Sequence, residues 1–365
     1  MKNIAVFFGG NSIEHDISII TGVLTLNSID KEKYNPIPIF VSREGVFYTG
    51  DALFDPDGYK NLNYKKLSKV TLIAGDNTLY AVKGKRLKRL ANIYCAINCM
   101  HGERGEDGSL SALLSLSKIA NASPEMLSSS VCMSKSFTKI VLKGLNVPCL
   151  PSITVRDNIC SISIEDFGYP VIVKPNTGGS SIGISKANDS EELDYAIINA
   201  LSFSRTAIIE PALTNFTEIN CACFSDKDGN LVVSECEKPI GRDEVLTFKD
   251  KYEEGKRQFP ADIEKSISQR IKKMTARIYK ELELKGVVRI DYFIKDEKVY
   301  VNEINTVPGS LAYYLFCKTT KEFKNMLNEI IDFALLCFNK GNLLKTKYES
   351  GILGTLRSKG SKNVK

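Results

Sequence analysis

The sequence predicts a chain of mixed α/β and α+β class: an open α/β sheet first, a small strand-rich unit next and a larger α+β unit last. Three observations point there. Strands and helices alternate up to about residue 122, with glycine-rich turns at strand ends. A β-branched run at 171–173 leads into Lys174-Pro175 and a loop holding Gly178, Gly179, Ser180, Ser181 and Gly183. Residues 289–309 read as two strands around a polar turn, with oxygen-bearing side chains spaced two apart.

Taken in order, the apolar run at 4–8 predicts the first strand, and its apolar part is too short for a signal peptide. The turn Gly9-Gly10-Asn11-Ser12 precedes a helix over 16–26. Further strands are expected at 36–41 and 94–98, with a helix from about Ser109 behind the loop that runs from His101 to Gly108. This alternation implies an open sheet whose ligands lie beyond the carboxyl ends of its strands, where both glycine-rich turns fall. A helix over 135–145 stops before Val147-Pro148, since the residue before proline disfavours helical backbone. Strands around the Lys174 loop, a helix over 191–203 and a strand over 207–210 complete the small unit. The last unit is expected to hold strands at 218–224 and 231–234, a polar stretch at 242–255 and a long helix at 263–284. The acidic hairpin and a final amphipathic helix at 321–338 follow.

Composition narrows the class. Hydrophobic residues at 43% and charged residues at 25% suit an ordinary globular protein with real cores. No apolar run approaches the roughly 20 residues of a membrane-spanning helix. The net charge of +6 is modest, and part of it sits in a tail with Lys347, Arg357, Lys359, Lys362 and Lys365. That tail reads as a solvated terminus rather than a nucleic-acid arm. The ten cysteines form no C-x-x-C pair, and Cys95, Cys149 and Cys337 lie in apolar runs. Reduced thiols in a cytoplasmic protein are expected.

Two constellations carry chemistry. Side chains two apart on a strand share a face, so pairing of the hairpin gathers Asp291, Glu303 and Asn305 beside Arg289. A few carboxylate and amide oxygens suit Mg²⁺, which takes its remaining ligands from phosphates and water. A solvated polar face is the plainer alternative. The Gly-Ser loop offers backbone N–H groups and hydroxyls to phosphate oxygens. It is not a Walker A loop, because Ile184 stands where lysine must follow the glycine. Lysine is rarely buried without a partner, so Lys174 at the end of an apolar strand suggests an anionic ligand.

Four blocks in order carry a resemblance: residues 9–16, His101-Gly102 with residues 105–108, the Lys174 loop, and Arg289-Ile290-Asp291 with residues 303–309. The chain resembles the D-alanine–D-alanine ligases of the ATP-grasp superfamily from residue 1 to about 340. The resemblance implies an N-terminal pre-ATP-grasp α/β domain at 1–122 binding the first substrate. A small central ATP-grasp subdomain at 123–211, a C-terminal subdomain with the metal site at 212–340 and a basic tail at 341–365 complete it. It implies ATP, two Mg²⁺ ions with Mn²⁺ as a possible substitute, and D-alanine as substrate for peptidoglycan precursor synthesis. A cytoplasmic homodimer with no nucleic-acid or membrane partner belongs to the same expectation.

The roles carried over are these. Lys135 and Lys174 hold ATP phosphates, with Ser180 and Ser181 in the loop beside them. Glu210 lies at the adenine hinge with Leu213, and Glu218 takes the ribose hydroxyls. Lys251 approaches the γ-phosphate from a mobile loop, and Tyr252 joins Glu14 and Ser180 in a hydrogen-bond triad. Glu14 and His101 bind substrate, and Asp291, Glu303 and Asn305 hold the metal. Arg289 and the N–H of Gly309 stabilise the oxyanion. One departure stands out: Tyr314 occupies the position of the family's serine for the acceptor carboxylate. D-Serine, D-lactate or another small acceptor, another carboxylate–amine ligase, and an inactive nucleotide-binding regulator are therefore alternatives to joining two D-alanines.

Overall fold

The computed structural model describes residues 1–156, 164, 167–240 and 257–350. The chain opens with β1 (Lys2–Gly9), α1 (His15–Ser28) and β2 (Tyr34–Val41). Four antiparallel strands follow, β3 (Phe47–Thr49), β4 (Ser68–Ile73), β5 (Asp76–Lys83) and β6 (Arg86–Asn92). Then come β7 (Cys95–Asn98), α2 (Ser109–Leu116) and β8 (Ala120–Asn121). Together they make an eight-stranded sheet in the order β6-β5-β4-β3-β2-β1-β7-β8. Its β2-β1-β7-β8 part is parallel, as the alternating pattern requires. The antiparallel extension has no counterpart in the sequence reading. Its edge strand β6, Arg-Leu-Lys-Arg-Leu-Ala-Asn, lacks a buried face, so no apolar alternation marks it, and ladder pairing to β5 makes it a strand.

The central strand β1 is buried on both sides. Ile4, Val6 and Phe8 face one core, while Ala5 and Phe7 face another with Leu110 and Leu114 of α2. Gly22 lets α1 lie close on this strand, since a Cβ there would come within 2.3 Å of Phe8.

Two helices, α3 (Met126–Met133) and α4 (Lys135–Gly144), lead to the second sheet. Ser134 caps α4 by accepting from the N–H of Phe137 at 3.4 Å. The sheet comprises β9 (Ile153–Val155), β10 (Val171–Pro175), β11 (Ser185–Ala187) and, beyond α5 (Ser190–Phe203), β12 (Ala207–Pro211). Its order is β11-β10-β12-β9, with α5 packed on Val171, Val173 and Ile209.

The third sheet contains β13 (Thr217–Ser225) and β14 (Leu231–Val233). A two-stranded ribbon of β15 (Lys238–Pro239) and β16 (Arg257–Gln258) comes next, followed by α6 (Lys265–Glu281). The acidic hairpin is β17 (Val288–Lys295) and β18 (Lys298–Asn305), and the third sheet's order is β14-β13-β17-β18. The apolar stripe of α6, with Ile271 and Ile278, covers Ile219, Cys221 and Cys223. Among the described residues the cysteines are unpaired thiols.

The final helix α7 (Thr320–Gly341) packs back on the first sheet. Phe323, Leu327 and Ile331 share one core with Ile4, Val6 and Phe8, and Ala222 and Phe224 of β13 join it. Polar contacts lock the joint: Tyr34 Oη donates to Asp332 at 2.7 Å, and Asn328 Nδ2 donates to Asp30 at 3.2 Å. The first strand and α7 thus share one core, although the resemblance places α7 in the C-terminal subdomain. The polar stretch expected at 242–255, and with it Lys251 and Tyr252, lies outside the described residues. No described helix is long and apolar enough to cross a membrane.

Candidate active site

A cavity of about 550 Å³ lies between the second and third sheets. Lys135, Lys174, Ser181, Glu210, Leu213 and Glu218 line it, as do Arg289, Asp291, Glu303, Gly309 and Tyr314. A smaller recess adjoins it and holds Glu14, His101, Ser180 and Asn305. The structure therefore brings together every site residue expected from sequence that lies within the described residues.

The lysine end corrects one line of reasoning. Lys174 is buried, but the anion beside it belongs to the protein: its Nζ lies 2.7 Å from Glu210 Oε2. The other oxygen, Oε1, meets Lys139 at 2.6 Å. Burial opposes the charge of Glu210, yet Lys174 and Lys139 outweigh it and hold this carboxyl below the usual range. Its side chain thus serves as an ion bridge, while the chain just beyond it (Pro211, Ala212 and Leu213) lines the cavity. Lys139 escaped the sequence reading. The signal was its spacing, because Lys135 and Lys139 are four apart on one helix and share a face. Lys135 Nζ donates to Gly178 O at 2.7 Å, tying α4 to the Gly-Ser loop, and burial lowers its pKa.

The depressed Glu210 pKa gives a signed expectation. Its contribution to stability is fully present above the unfolded carboxylate pKa and is lost as pH falls through the folded value. Melting temperature should therefore drop on acidification. In a Glu210→Gln variant the acid slope should flatten, and an unchanged slope would remove Glu210 from the account.

The hairpin pairs Arg289 with Asn305 and Asp291 with Glu303, so all four side chains stand on one face. Arg289 grips Asp291 with two bonds, Nε to Oδ1 at 2.7 Å and Nη2 to Oδ2 at 2.9 Å. Asn305 Nδ2 donates to Asp291 Oδ2 at 3.0 Å. Among the described residues no three His, Cys, Asp or Glu side chains gather as a metal cage. Two carboxylates and one amide oxygen nevertheless fit a hard cation that shares its coordination with phosphates.

Glu14 is the N-cap residue of α1, yet its side chain makes no cap bond. Instead it accepts from Ser180 Oγ, which joins the first sheet's loop to the Gly-Ser loop. Gly102, at φ +74, gives Glu14 room, since a Cβ there would lie 3.1 Å from its Oε2. Ser180 and Ser181 both hold left-handed backbone, at φ 55 and 60.

His101 is buried and reaches the site through others. Its Nε2 lies 2.9 Å from Thr21 Oγ1, which accepts from the N–H of Ser310 at 3.0 Å. Burial pushes the imidazole down to about 4, so it is neutral and can accept from the threonine hydroxyl. The relay fixes the turn just after Gly309. Glu106, another residue without an assigned role, accepts from the N–H groups of Gly102 and Val307, each at 2.9 Å. Burial and the neighbouring Glu14 raise its pKa. Tyr314 lines the far end of the cavity, where its hydroxyl accepts from Arg289 Nη1 at 3.3 Å.

Comparison with known proteins gives the family. The family model described as D-ala D-ala ligase N-terminus matches residues 3–123, and that described as D-ala D-ala ligase C-terminus matches 151–332. A D-alanine–D-alanine ligase of Thermosipho melanesiensis is 35% identical over 345 residues, covering 92% of this chain and 94% of that relative. Among solved structures, the ligase of Helicobacter pylori has a TM-score of 0.76 at 28% identity, covering 90% of this chain and 98% of that one. A D-Ala:D-Ser ligase of Enterococcus faecalis has a TM-score of 0.77 at 26% identity, covering 91% and 99%. The matched models together span most of the sequence, and the chain belongs to the D-alanine–D-alanine ligase family, with its ATP-grasp fold.

Proposed function

We propose that the chain joins two D-alanines into D-alanyl-D-alanine at the expense of ATP, releasing ADP and phosphate, in the supply of peptidoglycan precursors. The observation that carries this reading is the single cavity system in which the lysines, the acidic hairpin with Arg289 and the Glu14–Ser180 pair converge. The domain limits 1–122, 123–211 and 212–340, with a tail at 341–365, belong to the same reading. So do cytoplasmic placement and a homodimer, which sedimentation would report as twice the chain mass.

The residues divide the work by position. Lys135 and Lys174 face the space for ATP phosphates, with Ser180 and Ser181 in the adjoining loop. Leu213 and Glu218 border the region for adenine and ribose. Asp291, Glu303 and Asn305 would hold Mg²⁺, which screens phosphate charge when bound. The carboxylate of the first D-alanine attacks the γ-phosphorus, ADP leaves and an acyl phosphate forms. The amine of the second D-alanine then attacks the acyl carbon and displaces phosphate. Negative charge on the carbonyl oxygen is met by Arg289 and the N–H of Gly309, held in place beforehand. Glu14 takes the first ammonium, and Ser180 orients Glu14. Lys251 and Tyr252 complete the set as the resemblance has it. ATP-dependent phosphate release over a panel of D-amino and D-hydroxy acids, with product masses, tests the reading. No release with D-alanine would refute it.

A second reading keeps the chemistry and changes the acceptor, and Tyr314 favours it. Tyr314→Phe removes the hydroxyl that accepts from Arg289. Losing a hydrogen bond to a charged group costs about 1.5–3 kcal/mol, and because it loosens Arg289 at the end of the cavity that would take the acceptor, acceptor KM should rise by roughly one to two decades. The KM for ATP should hardly move. An unchanged acceptor KM would make Tyr314 a packing residue only.

A further inference from the structure

We propose that Arg257 is the receptor for the acceptor's carboxylate, seated on the ring of Tyr314 and held by Glu237; this rests on the ligase reading above. Arg257 opens β16, where it pairs with Pro239, and it borders the cavity with Glu237 and Tyr314. Its guanidinium lies 4.7 Å from the centroid of the Tyr314 ring, within cation–π range. Nη1 donates to Glu237 Oε1 at 3.1 Å and to the Tyr314 carbonyl at 3.4 Å. Glu237 is itself fixed, being buried and accepting on Oε2 from Asn220 Nδ2 at 3.1 Å.

Among the described residues this end of the cavity has two cations, and they differ in availability. Arg289 spends Nε and Nη2 on Asp291 and Nη1 on the Tyr314 hydroxyl. Arg257, whose side chain is 36% exposed, makes both of its hydrogen bonds among the described residues through Nη1. A guanidinium carries five N–H donors in a planar fork that matches a carboxylate edge to edge. The family's serine offers a short hydroxyl at position 314, whereas the tyrosine hydroxyl here is turned to Arg289. What Tyr314 offers instead is a flat face, and Arg257 lies on it. The lost hydroxyl donor is thereby offset by a charged one, and the acceptor class follows: a small D-amino acid with its carboxylate ionised.

The test is a competition. The full chain receives ATP, Mg²⁺ and D-alanine as donor, with D-alanine and D-alaninamide competing as acceptors, and the two products are weighed by mass spectrometry. Wild type should form the dipeptide acid in large excess over the amide. Arg257→Gln should lower that product ratio at least tenfold, and Arg257→Lys, which keeps the charge without the fork, should restore part of it. A merely structural role changes total yield and leaves the ratio alone. Equal use of both acceptors by wild type overturns the proposal without any variant, so a variant that fails to fold does not shelter it. Turnover with an unchanged ratio in Arg257→Gln overturns this proposal alone, whereas no D-alanine-dependent phosphate release in wild type overturns both it and the ligase reading.

Discussion

Glu303→Gln is expected to suppress ATP-dependent phosphate release by about three decades or more, equivalent to about 4 kcal/mol in the barrier. Glu303 stands opposite Asp291 in the hairpin and lines both recesses, so its carboxylate is well placed as a metal oxygen. Glutamine keeps the shape and loses the charge, and no apolar core group is removed. Circular dichroism should show an unchanged fold, and substrate-independent properties should persist. Near-normal turnover at saturating Mg²⁺ would take Glu303 out of the metal set.

The second large effect is on stability. Glu210 is 2% exposed and bridges two buried lysines on different elements, Lys139 of α4 and Lys174 of β10. Glu210→Ala leaves both cations buried without that partner, and breaking a buried pair in this way costs about 3–5 kcal/mol. The midpoint of urea unfolding should fall accordingly. Adding Lys139→Met to the variant should recover part of the loss, since one stranded charge is removed with it. Equal midpoints for wild type and Glu210→Ala would mean that the bridge contributes nothing to the fold.

These two predictions draw on different kinds of information. The placement of Asp291, Glu303 and Asn305 on one face was legible from the chain, because strand alternation is a local property of two residues. The Gly-Ser loop was legible for a similar reason: its glycines and hydroxyls lie within a few residues of Lys174. The resemblance rested on such compact blocks, and the parallel part of the first sheet followed from strand–turn–helix alternation in the same local way.

Other features required the whole chain to meet itself. The partner of Lys174 turned out to be Glu210 rather than only a ligand, because antiparallel pairing of β10 with β12 sets Glu210, opposite Ile172, diagonal to Lys174 on the same face. The edge strand β6 of the first sheet's extension was hidden because it buries no face, so pairing and not composition defines it. The packing of α7 against the first sheet puts Phe323, Leu327 and Ile331 in one core with residues of β1 far back in the sequence. Likewise Arg257, far from Tyr314 in sequence, meets it only once β16 pairs with β15 and the turn after Gly309 closes. By itself the sequence determined the periodic faces, the loop chemistry and the family, all of which reside in short stretches of chain. The tertiary structure decided which charges are paired, which surfaces share a core and which cation lies on the Tyr314 ring. Those outcomes follow from burial and electrostatics summed over residues distant along the chain, which no local pattern encodes.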